Sequence, residues 1–232
     1  MSLLFAKRGR RLAALGAAGI GACAVLAACS PVQMGAAAIV GNQRITVSSL
    51  DNQVSNWEAA AKPLGSTVQL TSAQAPAQVL SWLIRFSVMD QVAAKNGINV
   101  SDSQAAQGLS ELNSEASQYG FSNGSQLLIA SGVPPQLFQQ VGRWNAQVSA
   151  YGLKANHGQQ PTTQTQETNI TNAINKAECT AAKSLNIQVS PQFGRFDYTT
   201  STFGVVPGAD TLSRPAGTPS PANTEGLTPA AC

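Results

Sequence analysis

With only 11% of its 232 residues charged and a formal net charge of +3, this chain offers little to a partner recognised by charge. The small excess is also confined to one end: Lys7, Arg8, Arg10 and Arg11 open the chain, and beyond them ten basic residues stand against 11 acidic ones. No basic stripe remains, so a nucleic-acid partner is not expected.

The four cations precede an uncharged stretch, Leu12 to Ala28, which ends in Leu26-Ala27-Ala28-Cys29. A positive start, an apolar middle and a small-residue site form a secretory signal. A cysteine at that point accepts a diacylglycerol, and the four residues resemble the bacterial lipobox. The sequence therefore predicts a signal peptide over 1–28, lipidation at Cys29, a tether over 29–36 and a lipid-anchored protein on the extracytoplasmic face of the cell membrane. Two acyl chains such as palmitate hold stably where one is marginal. The alternatives are an uncleaved anchor, for which seventeen residues rich in Ala and Gly are short, and cleavage without lipidation.

Of the four cysteines, Cys23 lies in the signal and Cys29 is the lipid site. Cys179 and Cys232 remain in a disulfide-permissive compartment. Either they pair, tying the tail to the last helix, or Cys179 is buried and Cys232 is free to cross-link. No Cys-x-x-Cys is present, so thioredoxin-like redox chemistry is not expected.

Ala37 to Val40, Gly41-Asn42 and Gln43 to Thr46 predict a small β-hairpin with a two-residue turn. Thr46 or Ser48 then caps a helix with Leu50, Val54, Trp57, Ala61 and Leu64 on one face. A second helix is predicted from Ala75 to Lys95, with Val79, Trp82, Leu83, Phe86, Met89 and Val92 as its stripe. Ile84 and Val88 fall off that stripe, so the helix is apolar on more than one side and is expected to be the central one; the two residues either face a groove or pack on a neighbour. Ser101 and Gln104 form a capping box that opens a third. Ser125 to Ser131 is a short fourth. Pro134-Pro135 starts a fifth, lined by Leu137, Phe138, Val141, Trp144, Val148 and Tyr151. Gly152 to Thr165 is expected to be a loop. A sixth helix carries Ile170, Ile174, Ala177, Ala181 and Leu185, and Ile187-Gln188-Val189 is extended. Residues 199–232, rich in Pro, Thr, Ser and Gly, are expected to be disordered. The fold class is mainly α: five or six helices, a small N-terminal hairpin and a disordered tail.

The residues needed for chemistry are sparse. One histidine, His157, stands in an Asn-His-Gly loop. A metal site or a Ser-His-Asp arrangement needs fixed partners around such a residue. No Gly-rich phosphate loop or carboxylate pair is evident. No metal, no cofactor and no enzymatic activity are expected.

Taken together, the hairpin Ile39-Val40-Gly41-Asn42-Gln43-Arg44-Ile45-Thr46, the helix opening Val100-Ser101-Asp102-Ser103-Gln104 and the segment Ser190-Pro191-Gln192-Phe193-Gly194-Arg195-Phe196-Asp197 resemble the N-terminal domain of SurA-type chaperones. That domain is shared with PrsA-like foldases and the peptide-binding part of trigger factor. The last segment is similar to the family's asparagine-proline-arginine-phenylalanine-glycine-x-tryptophan-aspartate, with Ser190 and Gln192 departing from it. The resemblance covers about residues 37–198. It implies a helical cradle for unfolded or secreted polypeptides. Foldase members insert a parvulin domain where this chain has only the 152–165 loop, so prolyl isomerase activity is not expected. Trp57, Trp82, Phe86, Met89, Phe138 and Trp144 are the candidates for a client-facing groove, each with core packing as its alternative. A second functional reading is a structural lipoprotein that binds one envelope partner.

Overall fold

The computed structural model describes residues 34–198 and 203–207. The expected signal peptide, Cys29 and Cys232 lie outside the described residues.

Strands β1 (Ala36–Val40) and β2 (Gln43–Thr46) form the predicted hairpin, with Val40 paired to Gln43. Gly41 has φ +58, a value suited to the first central position of a tight two-residue turn. Its N–H donates to the carbonyl of Leu185 at 2.7 Å, which pins the turn to the end of the last helix. The hairpin is not isolated. Strand β3 (Gln188–Val189) pairs with β1, making a three-stranded sheet of order β2-β1-β3.

Helix α1 (Val47–Ala61) is capped by Thr46, whose side chain accepts from the Ser49 N–H. Leu64 lies beyond it, in a 3-10 turn over Lys62–Thr67. Helix α2 (Ala75–Lys95) has the predicted bounds and is central: Leu80, Ile84, Val88 and Met89 have no exposed surface. Ile84 and Val88, off the sequence stripe, are therefore core on a second side of the helix. In α3 (Asp102–Ala116) both halves of the Ser101–Gln104 capping box form. Asn123 caps the short α4 (Gly124–Ala130). A 3-10 turn at Pro135–Leu137 leads into α5 (Phe138–Ala155), and α6 (Gln164–Leu185) follows.

Two expectations are corrected. The loop predicted over 152–165 is shorter, because α5 continues to Ala155 and α6 begins at Gln164. Gly152 lies inside α5, not at a break. Ile170 Cγ2 stands 3.0 Å from where a side chain would begin, so the small residue serves the contact with α6. The second correction concerns the tail. Strand β4 (Arg195–Asp197) pairs antiparallel with β5 (Gly204–Val206), inside the stretch expected to be disordered. Phe203 and Val205 are 9% and 8% exposed and join the main core. The remainder of the tail, 208–232, lies outside the described residues.

The largest helix–helix contact joins α3 and α5, and α5 and α6 both pack on α2. Cys179, on α6, is disulfide-bonded. Among the described residues no helix is long and apolar enough to cross a membrane.

Candidate functional site

Helices α2 and α5 turn a matching face toward each other at a groove of ≈ 560 Å³. From α2 come Leu83, Phe86, Ser87 and Asp90; from α5 come Gln140, Arg143, Trp144 and Gln147. Each set has the spacing i, i+3, i+4, i+7, which places four side chains on one helical face. Gln43 and Ile45 of β2 form one wall, and Asp102 and Ala105 of α3 form the other. Apolar side chains and glutamine amides share the lining with Ser87 and with the charged Asp90, Asp102 and Arg143. Ser87 Oγ donates to Gln43 Oε1 at 2.8 Å, holding β2 against α2. Gln147 Nε2 donates to Asp90 Oδ1 at 2.8 Å, joining α5 to α2. Arg143 and Asp102 form a solvent-exposed ion pair at 3.5 Å, of a kind that contributes little to stability.

Behind the groove, Trp144 belongs to a buried cluster. Trp82 and Trp144 meet edge to face with centroids 5.9 Å apart. The Arg85 guanidinium lies 5.7 Å from the Trp82 ring and 5.9 Å from the Trp144 ring, within range of cation–π attraction. Glu178 of α6, only 5% exposed, completes the cluster. Its Oε1, the Arg85 Nε and the Trp144 Nε1 are all buried without a hydrogen-bond partner. Burial pushes the Glu178 carboxyl above its ordinary value of 4.5. The Arg85 charge and the nearby Trp144 indole N–H pull it back only in part.

The sign of this shift sets a pH dependence. A carboxyl whose value is raised on folding contributes its full stability below 4.5 and loses it as pH rises through the folded value. Glu178→Gln is therefore expected to raise the melting temperature at pH 7, with the gain shrinking toward pH 4. Thermal unfolding of the two proteins across that range checks it. An equal difference at both ends would show that ionisation of Glu178 is not the cause.

The six predicted client-facing residues separate. Phe86 and Trp144 line the groove together, Trp144 half-buried and Phe86 only 7% exposed, so that Phe86 is also part of the core beneath the groove. Trp82 is half-buried and donates Nε1 to the Ser131 carbonyl at 3.0 Å. Phe138 is half-buried between the two smaller apolar clusters. Neither lines this groove. Trp57 and Met89 are corrected to core residues. Trp57 is 2% exposed and donates to the Ile129 carbonyl at 2.7 Å, and Met89 has no exposed surface. Helical spacing marked these two as apolar and could not show that both sides of α1 and α2 would be covered.

Gln43, Gln140, Arg143 and Gln147 were missed as site residues. The signal was present in part, since Gln140, Arg143 and Gln147 keep helical spacing with Trp144, a polar stripe carrying one aromatic. His157 is exposed beyond the end of α5 and is not among the groove residues. Among the described residues, no group of three or more His, Cys, Asp or Glu is placed to hold a metal ion.

No curated protein and no solved structure matches this chain. A family model does, over residues 13–145, a stretch that contains β1, β2, α1 to α4, the first part of α5 and every groove residue except Gln147. More than half of the chain is matched, and it belongs to the family of SurA-like N-terminal domains.

Proposed function

We propose that this protein is a lipid-anchored, extracytoplasmic holding chaperone without enzymatic or prolyl isomerase activity. It would bind unfolded or secreted polypeptides in the α2–α5 groove. The observation that carries the reading is the groove itself, in a member of a chaperone-like family: Leu83, Phe86 and Trp144 offer apolar contact, and Gln43, Gln139, Gln140 and Gln147 offer amides. Amide side chains donate and accept without demanding a charged partner. Such a surface suits clients of varied sequence, with weak affinity that is insensitive to salt. What supports the anchor is the sequence up to Cys29, and an anchor there would hold the protein where secreted chains emerge.

The test has two arms. The chain lacking residues 1–28 and carrying Cys29→Ser is added to a denatured client, and light scattering follows aggregation. The protein is expected to slow it, and Trp144→Ala is expected to weaken client binding about tenfold, the equivalent of ~1.4 kcal/mol. In cells, a labelled palmitate analogue is expected on the intact chain and not on Cys29→Ser. A folded protein that leaves aggregation unchanged at every molar ratio would sink the chaperone reading. Capture of one tight partner instead would favour a scaffold.

A further inference from the structure

The hairpin brings more than side chains to the groove. In a two-residue hairpin the residues flanking the turn exchange hydrogen bonds, and the bonded pairs then alternate along the ladder. Val40 with Gln43 and Ala38 with Ile45 are the bonded pairs. Arg44, opposite Ile39, therefore directs its N–H and C=O away from β1. The order β2-β1-β3 leaves β2 at the edge of the sheet, and no strand among the described residues pairs with its outer side. Arg44 is exposed, and the residues on either side of it, Gln43 and Ile45, both line the groove. An unpaired main-chain donor and acceptor thus stand at the lip of a groove lined by Leu83, Phe86 and Trp144.

We propose that a client enters this groove as an extended strand added to the free edge of β2. One client residue exchanges two main-chain hydrogen bonds with Arg44, and the residues flanking it turn their side chains onto Leu83, Phe86 and Trp144. The proposal rests on the groove being the client site. The occupant's chemistry follows from the walls: an edge strand demands a main chain with a free N–H, Leu83, Phe86 and Trp144 take apolar side chains, and the glutamines beside them accommodate uncharged polar ones, while Arg143 and Asp102 pair with each other. Main-chain bonding supplies affinity independent of sequence, while the groove selects apolar side chains at alternate positions. The edge is only four residues long and carries an arginine. Both features limit runaway pairing between copies.

The experiment titrates full-length protein into a fluorescein-labelled Gln-Val-Gln-Phe-Gln-Val-Gln peptide and reads anisotropy. Two further peptides carry N-methyl groups, one on the glutamines and one on the apolar residues. The peptide methylated on its glutamines is expected to lose at least about tenfold in affinity and the other to keep it, because the residues whose apolar side chains enter the groove turn their own N–H groups away from the edge; the reverse order would overturn the proposed register. Arg44→Pro removes the outward N–H while leaving the ladder to β1 intact, and is expected to lose a similar factor; Arg44→Ala is expected to bind as the wild type. If Arg44→Pro does not fold, the methylated peptides on the wild type decide.

Unmethylated peptide that binds equally to both Arg44 variants, with neither methylation mattering, overturns the strand-addition proposal and leaves the groove reading standing. No binding of any peptide overturns both. A dimer that Arg44→Pro dissociates, without effect on peptide affinity, assigns the edge to a second copy and also overturns the proposal.

Discussion

Gly142→Ala is expected to destabilise the protein by about 3 kcal/mol, although alanine is the better helix former by ~1 kcal/mol. The reason is the crossing of α3 and α5. A Cβ on Gly142 would collide with the carbonyl oxygen of Ala105 and come within 3.1 Å of Leu109 Cβ. The crossing is reciprocal: a Cβ on Gly108 would stand 2.5 Å from the Gly142 carbonyl oxygen and 3.2 Å from the Ala146 nitrogen. Three of these four neighbours are backbone atoms, so no rotamer change relieves the contact and the helices must separate. Separation would also stretch the bond from Asn145 Nδ2 to the Gly108 carbonyl, now 3.0 Å. Urea unfolding measures the outcome. A midpoint that rises, as helix propensity alone demands, would mean that the helices do not cross this closely. The same crossing positions Ala105 and Trp144 in the groove, so the variant is also expected to bind clients more weakly.

Phe203→Ala is expected to cost about 3 kcal/mol, the usual scale for removing a buried phenylalanine. A disordered tail would give no loss at all. Phe203 stacks edge to face on Phe196 at 5.1 Å, and Phe196 does the same with Tyr198 at 4.9 Å. Beyond Gly204, the Val205 N–H donates to Ser81 Oγ at 2.8 Å. Ser81 donates in turn to the Ala77 carbonyl, so β5 is fastened to the first turns of α2. Phe203 holds a positive φ of +33, an unusual backbone for a residue with a side chain. Alanine at this position would keep that cost and lose the burial that offsets it. Thermal unfolding with an unchanged midpoint would show that β5 contributes nothing to the core.

Much of the fold was legible because it depends on near neighbours. The Ser101–Gln104 capping box acts across three residues and reads the same in sequence and structure. The bounds of α2 follow from its periodicity and from Asn96-Gly97 after it. The Gly41-Asn42 turn needs only its own two residues to reverse the chain. The family resemblance was legible for the same reason, since its motifs are short and local. The groove was half legible: Phe86 and Trp144 were named, but so were Trp57 and Met89, which are interior.

What remained depended on partners distant in the chain. Periodicity tells which face of a helix is apolar and is silent on how many neighbours cover it. That is why Ile84 and Val88 could not be placed and why two buried residues stood among the site candidates. Strand β3 exists because β1 offers it an edge about 150 residues earlier, and β5 because β4 and Ser81 receive it. Pairings of that kind are decided by loop closure and by the shape of the core they complete, which no local window contains. Gly152 and Gly142 show the same division. In sequence a glycine is a weak helix residue; in the fold each is the place where another helix comes close enough that a side chain would not fit.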